Sequence, residues 1–297
     1  MTQLQPRLGP RDLMVAAVMN LLWAMNIIAV KMAVNEIPPM TAALLRQAIV
    51  LLVCASWLRI VPGRMKALIG FGVLTGGIYF LVINLSMAVA TNVSALAIAG
   101  QLGVPFAMLL AVVVLKERIH KYRIAGVTLS LLGVAILVFD PAVAREMPGI
   151  ALTALGSLIW AGCSLIQRSL RGVPVLTMYA WVGLFGVVIL TPVALIFEPQ
   201  GIRSIPHLPL HSLGWVAFSA IGSTIIGHGS MSWLLHRHPV ASVTPLTLAA
   251  PVLSVAAASL FFHTPLTPIM ILGGVVALTG VAIVTIRSAA KAGESRA

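Results

Sequence analysis

Ten apolar stretches, each close to the length of a bilayer-spanning helix, follow one another along this chain with only short breaks between them. A helix needs about 20 apolar residues to cross the hydrocarbon core of a membrane. The stretches cover roughly 13–34, 40–61, 66–90, 93–115, 121–139, 149–169, 174–197, 211–235, 240–262 and 267–286, and the fourth carries no charge at all. In lipid, backbone N–H and C=O groups must be satisfied within the protein, and a helix does so within one segment. The expected fold is therefore an all-α integral membrane protein with ten transmembrane helices. The longest connection, around 197–215, is marked by Pro199, Pro206 and Pro209, and no extramembrane domain is expected.

Composition agrees. Charged residues make up 9% of the chain and hydrophobic ones 60%, with a mean hydropathy of +1.05. A soluble domain carries about 25% charged residues, so this chain cannot clothe a water-facing surface. The formal net charge is +12. The basic residues fall in short loops without interleaved aromatics, which excludes a nucleic-acid partner and leaves the lipid bilayer. Cys54 and Cys163 both lie within apolar stretches, with neither a disulfide framework nor metal-ligand spacing. No metal and no cofactor are expected. The first stretch follows Arg7 and Arg11 without an early small-residue cleavage site, and reads as a first spanning helix rather than a removed leader.

Loop charge orients the helices. The alternating set of ends that includes Arg11, Arg59 and Lys121 holds about fifteen Lys and Arg, whereas the opposite set holds Lys31, Arg145 and Arg203. Both termini are thus expected in the cytoplasm, in agreement with an even number of spans.

The chain also repeats itself. Trp23-Ala24 returns as Trp160-Ala161, and Gly133-Val-Ala-Ile-Leu137 returns as Gly280-Val-Ala-Ile-Val284. Pro105 and Pro251 occupy corresponding helices, which open with Asn92-Val-Ser-Ala and Pro239-Val-Ala-Ser. Two five-helix units, 1–143 and 144–297, follow. An odd number of spans per unit forces the second to run upside down, which gives an inverted repeat. Such a pair supports two arrangements of similar energy, one open to each side.

Leu22-Trp-Ala-Met-Asn-Ile-Ile-Ala-Val-Lys31 and Ala43-Leu-Leu-Arg46 resemble the first two helices of EamA-type members of the drug/metabolite transporter superfamily. Met87-Ala-Val-Ala-Thr-Asn-Val-Ser-Ala95, Pro105, Leu115-Lys-Glu-Arg118, Gly126 and Gly133 resemble the family's signature across helices three to five. Within the group the chain is most similar to bacterial exporters of aromatic amino acids of the YddG type. The resemblance implies a ten-helix secondary transporter with a central cavity. It would work without ATP hydrolysis in the bacterial inner membrane, with a small metabolite such as an amino acid as its partner, as a monomer. The second half departs from the pattern: Phe261-Phe-His-Thr-Pro265 stands where relatives repeat a Gly-Glu, and Val182 falls near the position matching Arg46.

Polar and aromatic residues at helical spacing mark the faces expected to meet in that cavity. They are Asn20 and Trp23 on the first helix, Tyr79 on the third, Gln101 on the fourth, Trp160, Ser164 and Gln167 on the sixth, His228 and Met231 on the eighth, and Thr244 and Thr247 on the ninth. Rings and methionines suit an apolar side chain; Gln101, Asn20, Ser164 and His228 suit an amino or carboxyl group. Serines and threonines in such helices also bond their own backbone, and Asn20 serves equally as an interhelical clamp. Pro105 and Pro251 read as paired hinges or as static kinks. Arg46, inside a span, has three readings: snorkelling, bonding helix-end carbonyls, or meeting a substrate carboxylate; a structural role is expected. Glu117, Arg118, Lys121 and Arg123 form a cluster expected to fix topology.

All seven acids lie at helix ends or in loops, so no mid-membrane carboxylate is available to shuttle a proton, and His228 is the one histidine near a helix middle. A facilitator is the expected mode. No catalytic residue is expected: paired intramembrane aspartates, His-Glu-x-x-His, Gly-x-Ser-x-Gly and a Walker loop are absent, and His236-Arg-His238 reads as a loop without a carboxylate companion. A channel's filter or charge ring is likewise absent from the sequence.

Overall fold

In a computed structural model, residues 8–116, 121–238 and 240–294 are described. Among them every regular element is helical and no strand occurs. Nine helices are long and apolar enough to cross a membrane: α1 (Pro10–Glu36), α2 (Pro39–Trp57), α3 (Met65–Val89), α4 (Val93–Val114), α6 (Val143–Ser169), α7 (Val175–Phe197), α8 (Leu210–Leu235), α9 (Thr244–Phe262) and α10 (Pro268–Ile286). The tenth apolar stretch forms α5 (Lys121–Val138), whose apolar part, Ile124–Val138, is shorter. The 197–215 connection is not a bare loop: Pro199–Ser204 is a helix and Ile205–His207 a tight turn. Proline at the first helical position starts that helix, as it does α2, because its missing N–H would be unpaired there anyway. The Glu117-Arg118 pair lies outside the described residues, as do Arg7, Pro239 and Arg296.

Large apolar side chains face outward along the helices. Leu52 is 76% exposed, Val113 73%, Ile196 70% and Leu260 75%. Patches of this kind make a water-soluble surface sticky, whereas they suit contact with acyl chains. Inside, small residues bring backbones together. α5 and α10 cross where Gly133 meets Gly273 and Ala277, and Gly126 meets Gly280; a Cβ on Gly133 would lie 2.3 Å from the Ala277 nitrogen. Buried hydroxyls link helices: Ser86 Oγ donates to the Gly149 carbonyl at 2.9 Å and lies 2.6 Å from Thr153 Oγ1, joining α3 to α6.

Polar contacts sort the helix ends into two faces. On the face where α1 begins, Asp12 lies 3.1 Å from His238, Trp181 Nε1 donates to the Arg59 carbonyl at 3.0 Å, and Arg64 donates to the Ser169 carbonyl. His238 therefore does have a carboxylate companion, contrary to the sequence reading; the fold brings Asp12 to it from the far end of the chain. The opposite face is stitched by acids placed at helix starts. Glu198 accepts from the Met40 and Thr41 N–H groups at the head of α2, at 3.1 and 2.8 Å. Glu36 accepts from Ser212, and Glu146 from the Thr91 N–H at 3.0 Å and from the Thr91 hydroxyl. Thr267 Oγ1 donates to Asp140, and Lys31 donates to the Met87 and Ala90 carbonyls at the end of α3. Helix starts carry unpaired N–H groups and a positive dipole end, so carboxylates settle there.

Backbone irregularities recur in both halves. α3 widens into π-type turns over Gly72–Tyr79, and α8 does so over Phe218–Gly227. α4 tightens to a 3₁₀ turn at Gly100–Leu102 just before Pro105, and α9 does so at Thr244–Leu248 before Pro251. α4 and α9 end on left-handed residues, Lys116 (φ 53°) and His263 (φ 52°).

Candidate functional site

Five rings meet where α1, α3, α6, α7 and α8 approach one another. Tyr79 lies 5.1 Å from Trp160, Trp160 6.2 Å from His228, and His228 5.2 Å from both Trp23 and Tyr179, measured between ring centroids. The tilted arrangements are those that ring quadrupoles favour. Trp23, Tyr79, Trp160 and His228 were all expected at one cavity, and all four gather here, each only partly buried. Tyr179 was not expected: it sits one turn inside α7, where a tyrosine ordinarily marks a membrane interface.

The His228 ring is oriented by its own helix. Its Nδ1 is 3.1 Å from the Thr224 carbonyl. The Trp23 indole N–H is buried without a hydrogen-bond partner, pressed against Gly227, where a Cβ would come within 2.6 Å of Nε1. A buried indole N–H in that state is unusual and costly.

Beside the rings lies a polar core built around Arg46. Its side chain is only 4% exposed. It donates to Ser219 Oγ and, at 2.6 Å, to Thr224 Oγ1, and its guanidinium lies 4.0 Å from the Phe80 ring centroid. Ser219 Oγ in turn donates to Asn26 Oδ1 at 2.7 Å, and Thr224 Oγ1 donates to the Ser219 carbonyl at 3.0 Å. That last bond spans five residues, the step of the widened α8 turns, so the π-type segment is what presents both hydroxyls to Arg46. A small cavity adjoins it, lined by Val30, Ala33, Ala42, Arg46, Asn84, Val216 and Ser219.

The remaining expected residues are placed differently. Asn20 Nδ2 donates to the Ala16 carbonyl at 2.7 Å and to the Leu246 carbonyl at 3.0 Å, clamping α1 to α9. Gln101 donates back to Ala97, Ser164 to Trp160 and Thr247 to Thr244, each within its own helix or turn. Met231 packs with Ala16, Met19, Leu234 and Val243 near the face where α1 begins. Gln167 is half-buried close to the end of α6, and Thr244 opens the 3₁₀ turn that precedes Pro251. Asn26, Ser219 and Thr224 complete the polar core. Among the described residues, no group of three or more His, Cys, Asp and Glu has metal-binding geometry.

The chain as a whole is similar to known proteins. The family model described as the EamA-like transporter family matches twice, over residues 12–139 and 147–286. A relative from Escherichia coli (strain K12), named a probable amino-acid metabolite efflux pump, is 24% identical over 283 residues, covering 92% of this chain and 94% of its own. Its counterpart from Salmonella typhimurium, with the same name, is 25% identical and spans the same shares. An uncharacterized transporter of Archaeoglobus fulgidus is 26% identical over 88% of this chain and 94% of its own length. One crystal structure superposes with a TM-score of 0.63 at 20% identity, over 93% of this chain and 97% of that one, which shows the fold.

Proposed function

The chain belongs to the EamA-like transporter family, and on that premise we propose that it is a secondary carrier of small amphipathic metabolites, with aromatic and other hydrophobic amino acids as the favoured cargo. Ten spans form two inverted five-helix units, 1–143 and 144–297, in the cytoplasmic membrane, with both termini in the cytoplasm. The observation that carries this reading is the ring cluster, because both units build it: Trp23 and Tyr79 come from the first, Trp160, Tyr179 and His228 from the second. A site shared across two units is one whose access changes when the units rock against each other.

Support for the inversion comes from the paired irregularities. The widened turns, the 3₁₀ stretches before Pro105 and Pro251, and the left-handed ends at Lys116 and His263 all recur at matching places. Each proline removes a backbone hydrogen bond next to a turn already off α geometry, so bending there is cheap and the two positions act as hinges. Both efflux-pump names support an amino-acid cargo moved outward. The rings would hold an apolar side chain, each ring pair adding about 0.5–1.5 kcal/mol beyond burial. With no carboxylate among the ring cluster and its polar core, the carrier runs as a facilitator, down its solute gradient.

Counterflow of labelled phenylalanine in proteoliposomes tests this. Saturable, trans-stimulated flux is expected, unaffected by an imposed pH gradient, and falling about tenfold in Trp160→Ala, the loss of roughly 1.4 kcal/mol of binding. Linear, unsaturable flux would contradict a carrier. Flux unchanged by substituting Trp23, Tyr79, Trp160 and His228 in turn would contradict the site.

A further inference from the structure

We propose that Arg46 is the anchor for the carboxylate of the transported solute, which rests on the carrier reading and names the chemical group it selects. A guanidinium keeps its charge inside a protein, so a buried one needs a negative partner. Arg46 has none among the described residues. Its two hydrogen-bond acceptors, Ser219 Oγ and Thr224 Oγ1, are neutral hydroxyls, and its Nε is buried without any partner. The Phe80 ring face at 4.0 Å favours a cation but supplies no net charge.

The adjoining cavity has apolar walls, Val30, Ala33, Ala42 and Val216, interrupted only by Arg46, Asn84 and Ser219. Ser219 Oγ donates its hydrogen bond to Asn26 Oδ1, so toward Arg46 it acts only as an acceptor. Arg46 is joined to the ring cluster through Thr224, whose Oγ1 accepts from it at 2.6 Å and whose carbonyl lies 3.1 Å from His228 Nδ1, and through Phe80, whose ring lies 4.0 Å from the guanidinium and 5.0 Å from the Tyr79 ring. The cation thus stands at one edge of an aromatic floor. A solute with an apolar or aromatic body and one carboxylate meets both features, with planar guanidinium facing planar carboxylate. An amine or a neutral amide of the same shape meets only the rings. Val182, at the matched place in the second unit, offers no charge, so the solute is held in one orientation.

Ligand-induced thermal stabilisation of the purified, detergent-solubilised protein reads binding apart from transport. Phenylalanine and 3-phenylpropionate are expected to stabilise the wild type; phenylalaninamide and phenethylamine are not. Arg46→Lys, which keeps the charge but not the planar fork, should weaken phenylalanine about tenfold. Arg46→Gln should bind acid and amide equally. A wild type that fails to prefer acid over amide overturns the proposal, as does Arg46→Gln with the preference intact; should Arg46→Gln not fold, the wild-type panel and Arg46→Lys decide. Preference for the acid without counterflow would keep this site and overturn the carrier. Counterflow indifferent to the carboxylate would keep the carrier and overturn this site.

Discussion

The widened segments of α3 and α8 share a backbone form and differ in what they hold. Gly72 and Phe218 stand 146 residues apart, as do Gly76 and Gly222. In α3 the segment is locked by glycine: a Cβ on Gly76 would lie 2.1 Å from the Val182 carbonyl oxygen and 3.0 Å from the Gly186 nitrogen of α7. In α8 the matching glycine is slack, since a Cβ on Gly222 would meet only the Phe218 ring at 3.4 Å and Leu22 at 3.5 Å. Ser219 and Thr224, which receive Arg46, correspond to Val73 and Ile78 on α3, and Arg46 itself to the neighbourhood of Val182. One irregular turn thus serves tight packing in the first half and a charged site in the second. The lesson is that two segments of one backbone form can hold different chemistry, apolar packing in one and a buried cation in the other.

Glycine replacement breaks this comparison most sharply. Gly76→Ala should destabilise by about 1–3 kcal/mol, because backbone rather than a flexible side chain blocks the new methyl. Gly222→Ala should be neutral or stabilise by up to about 1 kcal/mol, through the entropy that glycine loses on folding. Thermal unfolding in detergent compares the two, and equal losses would show the segments to be equivalent. A smaller effect of opposite character is expected at the charge. Arg46→Met makes the α8 site resemble its α3 counterpart and should raise stability by about 1 kcal/mol, since a buried cation without a counter-charge is removed; phenylalanine counterflow should vanish in the same variant. Thr224→Val should cost about 1 kcal/mol by removing one hydrogen-bond acceptor of Arg46, against a few tenths for Ile78→Val beyond its lost methylene. The smallest effect belongs to the end caps: Glu198→Gln keeps shape but loses charge at the head of α2, for about 0.5 kcal/mol.

Much of this architecture is legible in the chain, for reasons of period and length. A twenty-residue apolar run has few alternatives to a spanning helix, and so the bundle's helices lie where hydropathy puts them. Trp23, Tyr79, Trp160 and His228 stand mid-helix at positions where lipid gives no reason for an amphipathic ring, and that mismatch exposes them. Tyr179 escapes because its depth imitates an interfacial anchor. Gln101, Ser164 and Thr247 are harder to read, because a polar side chain in a helix satisfies itself on the preceding turn, a bond that no spacing rule separates from a cavity contact. Arg46's partners escape because Ser219 and Thr224 come within its reach only through the widened turn, and Gly76-Gly77 and Gly222 announce that turn only in retrospect. Among the described residues the acids lie at helix ends or in loops, as expected, but which partner each one meets depends on tertiary neighbours, as Glu198 at Met40 and Asp12 at His238 illustrate.

Access to the ring cluster from each side is the sharpest test of the inverted-unit carrier. Gly103 faces open space beside Trp160, where a new Cβ would come no nearer than 3.9 Å to any other side chain, and the native Cys54 and Cys163 are buried. A Gly103→Cys variant, treated with a membrane-impermeant thiol reagent, should react from the cytoplasmic side and, in a separate sample, from the external side, with phenylalanine slowing both. Reaction confined to one side under every solute condition would contradict alternating access.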